Sequence, residues 1–126
     1  MAGNLTNYLE NKLLDHFLGT TTYTRPTVYV ALFTVAPGDA GGGTEVTGGS
    51  YARQAAAFDA ASSGATSNSA NIDFTGMPAA TTVAIAIFDA STSGNMLVHG
   101  TLTTNKTTDA GDTLRIATGD LDISID

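Results

Sequence analysis

Over the first twenty residues the apolar positions recur with a helical period. Leu5, Tyr8, Leu9, Leu13, Phe17 and Leu18 fall on one side, and Leu14 widens the stripe. Asn7, Glu10, Asn11, Asp15 and His16 occupy the other side. The pattern predicts an amphipathic helix over residues 4–18, with Asn4 as N-cap and Gly19 at a left-handed C-terminal position. Alone such a helix is marginal, because the cost of ordering it offsets the gain from burying its stripe. The face formed by Leu5, Tyr8, Leu9, Leu13 and Phe17 is therefore the candidate interface, directed at a sheet or at another subunit.

After Gly19 the period shortens to that of strands. Residues 27–35 and 81–89 are apolar on both alternating faces, as in central strands covered on each side by sheet and helix. Residues 51–58, 70–74, 95–103 and 112–118 read as further strands between Gly-, Ser- and Thr-rich turns. In residues 119–126 the alternation is complete: Leu121, Ile123 and Ile125 point inward, while Asp120, Asp122, Ser124 and Asp126 point outward. About seven short strands of this kind predict an antiparallel β-sandwich, mainly β, with one N-terminal amphipathic helix. The organisation expected is one domain over residues 1–126, with the helix at 4–18 and the sandwich at 27–126.

Composition narrows the function. The 126 residues carry a formal net charge of −7, and only 13% of them are charged. The five basic residues, Lys12, Arg25, Arg53, Lys106 and Arg115, are scattered, so no stripe forms for nucleic-acid binding. The absence of cysteine excludes disulfides and thiolate chemistry. No apolar stretch reaches the roughly 20 residues that span a bilayer, and the start lacks the basic and apolar segments of a signal peptide. A water-soluble protein made in the cytoplasm is expected, without nucleic-acid or membrane partners.

The glycine-rich segment within residues 33–54 follows a strand, as phosphate-binding loops do. However, Gly41, Gly42 and Gly43 lead into Thr44 and Glu45, with Asp39 before them and no lysine. Two carboxylates would repel a nucleotide, and no helix follows to supply an anion site. A surface loop without nucleotide is expected. His16 and His99 have no oriented acid partner in sequence and no cysteine to complete a zinc set, so surface or interface roles are expected. Asp109 and Asp112 flank a turn that suits backbone capping, with Ca²⁺ as the alternative. The row Asp120, Asp122 and Asp126 reads as the solvated face of an end strand. No serine sits in a nucleophile motif. The expectation is a protein with no catalytic residues, no metal and no cofactor.

Several stretches resemble a family of small tailed-bacteriophage virion proteins, described as tail-fibre or structural proteins. They are Leu5-Thr6-Asn7-Tyr8 with Glu10-Asn11, Ala31-Leu32-Phe33-Thr34, Gly41-Gly42-Gly43-Thr44-Glu45, Tyr51-Ala52-Arg53-Gln54, and the closing "AGDTLRIATGDLDISID". The likeness covers most of the chain and is least distinctive over residues 59–80. It implies a virion structural protein that associates with other virion proteins. Small size and acidity favour a head decoration (cement) subunit bound to the major capsid protein, which needs no chemistry, gains affinity from many repeated weak contacts and closes into a symmetric homo-oligomer. The alternative is a tail-associated or tail-tip protein that binds a host receptor or glycan through its loops.

Overall fold

The computed structural model describes residues 4–125. In chain order the elements are β1 (Asn4–Leu5), α1 (Asn7–Phe17), β2 (Tyr29–Val35), β3 (Thr44–Glu45), β4 (Gln54–Ala55) and β5 (Ala65–Ser67). They continue with β6 (Ile72–Met77), β7 (Ala80–Phe88), β8 (Met96–Thr108), β9 (Asp112–Ile116) and β10 (Asp122–Ser124). The protein is mainly β, and its strand pairings are antiparallel. The principal sheet has the order β1-β8-β7-β2-β3, with β4 also pairing to β2. Two ribbons, β6 with β9 and β5 with β10, form the second layer.

The strands β2 and β7 are apolar on both faces because both faces are covered. On one face Val30, Leu32, Ile85 and Ile87 meet Ile72, Phe74 and Leu114 of the β6–β9 ribbon in the main core. The other face carries Ala31, Phe33, Ala84, Ala86 and Phe88. The expected helix does not cover that second face: Tyr8 and Leu9 pack against the main core.

The helix begins later than its apolar stripe suggests. Asn4 and Leu5 pair with His99 and Val98 of β8, so Asn4 is a strand residue and Thr6 is the N-cap. The Thr6 hydroxyl accepts the N–H of Leu9 at 3.3 Å and donates to the carbonyl of Met96 at 2.6 Å. Buried at 2% exposure, Thr6 joins helix to sheet. Gly19, at φ +87°, ends the last turn in the left-handed conformation that glycine adopts without strain.

The other differences concern short or interrupted strands. Residues 51–58 form only the two-residue β4, because Tyr51 and Arg53 serve a buried polar cluster instead. β8 runs beyond residue 103 to Thr108 after a large bulge. Between the pairs Ala84–Thr101 and Thr82–Lys106, β7 advances two residues while β8 advances five. Residues 102–105 thus splay from the sheet, as bulged segments do. The final strand is β10 alone, with Leu121 buried before it and Ile125 exposed after it.

Asn68 closes the second layer. It is fully buried, and its Nδ2 donates to the carbonyls of Ala70 at 2.8 Å and Ala117 at 3.0 Å. Its Oδ1 accepts the N–H of Leu121 at 2.9 Å. One side chain thereby ties the end of β5 to the segment between β9 and β10.

Candidate functional site

The outer face of the principal sheet is built on small residues. Ala31 pairs with Ala86, and Phe33 pairs with Ala84. These alanines leave room for the rings of Phe33 and Phe88, which lie 6.3 Å apart with planes inclined by only 2°. The Arg53 guanidinium lies over the Phe88 ring, 3.6 Å from its centroid, a favourable cation–π geometry.

Arg53 is held from three directions. Its Nε and Nη2 donate to Glu45 Oε2 at 3.0 Å and Oε1 at 2.9 Å, a bidentate pair. Its Nη1 donates to the carbonyls of Ala90 at 3.1 Å and Ser93 at 2.8 Å. Tyr51 donates its hydroxyl to Glu45 Oε2 at 2.7 Å. The Tyr51 hydroxyl oxygen in turn accepts the N–H of Leu32 at 2.9 Å. This N–H lies on the β2 edge between the points where β3 and β4 pair, so Tyr51 replaces a missing strand partner. Burial works against the charge of Glu45, but the hydrogen bonds from Arg53 and Tyr51, with the charge of Arg53, outweigh it. The Glu45 carboxyl is therefore held below its ordinary pKa. Burial above all, reinforced by Glu45, raises the Tyr51 phenol and keeps it a neutral donor.

Residues 36–43 form an arch across this face. The chain leaves β2, reaches the β8 side of the sheet, and returns to pair β3 with β2. At the tip, Gly38 and Gly41 exchange two backbone hydrogen bonds of 2.9 Å around Asp39 and Ala40. The Asp39 carbonyl accepts the N–H of Asn7 at 3.0 Å, and Asp39 Oδ1 lies 2.8 Å from His99 Nε2. The glycine-rich segment is thus a loop tied down at its far end, and buried His99 is part of the tie.

The return of the arch depends on Gly43. Its φ is +74°, and a Cβ there would lie 2.6 Å from the Val35 carbonyl oxygen and 2.8 Å from the Pro37 nitrogen. Both neighbours are backbone and cannot yield cheaply. Gly43→Ala is expected to destabilise the fold by about 2 kcal/mol, measured by chemical denaturation. Gly42→Ala has open space and carries only the positive-φ strain, so its loss should be smaller.

Beneath the arch lies a cavity of about 640 Å³. Phe33, Phe88 and Met96 form its apolar side, residues 40–43 its roof, and Asn7, Asp39 and Asn95 its polar rim. At 3% and 8% exposure, Phe33 and Phe88 offer little open ring surface. No lysine, arginine or histidine is among the described residues lining the cavity. A second cavity of about 310 Å³ opens where residues 102–105 leave the sheet, with buried Leu32, Ile85, Leu114 and Leu121 in its lining.

The candidate interface divides along the helix. Leu5, Tyr8 and Leu9 pack partly buried against the main core, and Leu13 is half-buried. Phe17 is 67% exposed, and beside it Leu14 and Leu18 are also exposed. His16 Nδ1 accepts the N–H of Tyr23 at 3.0 Å. Asp112 Oδ2 accepts the N–H of Asp109 at 2.8 Å, a backbone cap on the turn. Asp120 and Asp122 are exposed, and Asp126 lies outside the described residues. Sequence reasoning missed the Glu45–Arg53–Tyr51 cluster and the Asp39–His99 contact, although Glu45, Tyr51 and Arg53 stand in the stretches that carried the family resemblance.

Residues 4–124 match the protein family described as Podophage GP4 fiber I protein gp80. The chain belongs to that family. It is a bacteriophage structural protein and a virion component, as the resemblance implied. No curated protein matches it. The family match spans the arch, the ion pair beneath it and the helix that anchors its tip. Among the described residues no helix is long and apolar enough to cross a membrane.

Proposed function

We propose that this family member is a non-enzymatic subunit associated with the tail fibre. It attaches to other virion proteins through the exposed end of α1 and presents the arch cavity for host recognition. The observation that carries this reading is the division of the helix stripe. Its first half completes the protein's own core, while Leu14, Phe17 and Leu18 are left in solvent. At about 1.5 Å rise per residue, Phe17 lies roughly 15 Å along the axis from Asn7 at the cavity, so attachment and recognition are separate. The fibre description of the family supports the station. Homo-oligomeric assembly is part of the proposal, with a further fibre protein as the neighbour of the helix end.

A head decoration subunit is the second reading, favoured by a small domain with a net charge of −7. The copy number per particle separates the two: tens or fewer copies support the fibre, and several hundred support the head. The double variant Phe17→Ser/Leu18→Ser is expected to melt within about 0.5 kcal/mol of wild type, because both side chains are exposed. Its incorporation into virions should fall at least tenfold. Full incorporation would remove the helix end from the attachment surface.

A further inference from the structure

We propose that the cavity beneath the arch binds a neutral saccharide. The inference rests on the recognition role proposed above and names the ligand class. The first argument is the set of polar groups that the cavity leaves unused. Asn95 gives its N–H to Asp89 Oδ1 at 2.7 Å and its Nδ2 to Asp89 Oδ2 at 3.0 Å. Its amide is fixed, and Oδ1 remains as an acceptor. Asp39 is held through Oδ1 by His99, which leaves Oδ2 as a second fixed acceptor. Asn7 spends its backbone N–H on Asp39, and its carboxamide has no hydrogen bond among the described residues, so it offers both a donor and an acceptor. Groups held by their own partners lose little freedom on binding.

The second argument is the charge of the lining. With Asp39 on the rim and no cationic side chain among the described lining residues, phosphates, sulfates and acidic sugars are disfavoured. Glu45 is already neutralised by Arg53, so the cavity is not a strongly anionic trap for amines. Adjacent hydroxyls, each able to donate and accept, match a mixed set of acceptors and an amide. The third argument is shape. The volume of about 640 Å³ falls within the about 300–1,000 Å³ typical of small-ligand sites. Half-buried Met96, backed by Phe33 and Phe88, supplies an apolar side for the C–H surface of a sugar. The roof is peptide backbone, since Gly41 and Gly42 have open space where a side chain would stand, so a ring can approach closely.

The test is an NMR titration of the full chain with neutral mono- and disaccharides of glucose, galactose, mannose and N-acetylglucosamine, beside sialyllactose and spermidine. A saturable response to at least one neutral sugar is expected, with shifts at Asn7, Gly42 and Asn95. Asn7→Ala should keep the wild-type melting temperature and weaken binding about fivefold. Asp39→Asn, which keeps its acceptor but loses its charge, should retain most of the sugar affinity. The proposal is overturned by no response to any neutral sugar, by preference for sialyllactose or spermidine, or by binding indifferent to Asn7→Ala. The titration uses isolated protein, so its failure is distinct from a misplaced station on the virion. A head location with intact sugar binding would overturn only the fibre reading.

Discussion

Glu45→Ala is expected to lower stability by about 3 kcal/mol, which for a domain of this size lowers the melting temperature by about 10 °C. The loss arises less from the attraction removed than from the groups left behind. The Arg53 side chain is only 9% exposed, and without Glu45 its charge lies over Phe88 with carbonyl partners alone. Tyr51 would also lose the acceptor for its hydroxyl. The estimate sits at the low end for a broken buried pair because the Glu45 side chain is 26% exposed. Arg53→Lys should lose nearly as much, since one ammonium cannot span both carboxylate oxygens and two carbonyls. The double variant Glu45→Leu/Arg53→Leu should be less destabilised than Glu45→Ala, because no orphaned charge remains.

The same pair sets an acid dependence. Glu45 has a folded-state pKa below its ordinary value of 4.5. Its contribution is therefore complete above the ordinary value and is lost as pH falls through the depressed one. The stability gap between wild type and Glu45→Gln should be constant from pH 8 to 5 and narrow below about pH 4. A gap that stays constant to pH 2 would contradict a charged Glu45 in the folded state.

Asn68→Ala is the second large effect, expected at about 3 kcal/mol or more. The carbonyl of Ala70 and the N–H of Leu121 lose their partner at once, and the Ala117 carbonyl keeps only the N–H of Asp120. Each buried polar group left unpaired costs about 1–3 kcal/mol, and water reaching the exposed Ala70 offsets part of the sum. Asn68→Asp keeps the bond to Leu121 and replaces two donations by carboxylate–carbonyl repulsion, so it should not rescue. Thermal unfolding of both variants against Ser69→Ala, an exposed neighbour, checks the claim. Near-wild-type melting of Asn68→Ala would show that Asn68 does not hold the layer.

The parts of the fold that were legible in the sequence are those with sustained periodicity. Residues 27–35 and 81–89 read as central strands because covered faces demand apolar residues at every position, and the helix showed its stripe. β1, β3 and β5 span two or three residues, too few for any alternation to appear. The bulge in β8 was hidden because a run of threonines suits an extended chain whether or not it pairs. Asn68 stood among small polar residues that resemble any loop. The arch was visible as glycines, and a free loop was the natural reading. What ties it down is a contact between Asp39 and His99, 60 positions apart, and no local pattern encodes such a contact. The same holds for Glu45 and Arg53, whose meeting depends on β3 and β4 sharing the edge of β2.

The orientation of the subunit on the virion is the most direct test of the functional account. The chain has no cysteine, so a single introduced thiol reports one position. Ala40→Cys marks the roof of the cavity, and Leu18→Cys marks the exposed end of the helix. On intact virions carrying either variant, a maleimide–gold label should decorate the tail fibres through Ala40→Cys. Leu18→Cys should react only after the particles are disrupted. Free labelling of Leu18→Cys with protection of Ala40→Cys, or labelling confined to the head, would contradict it.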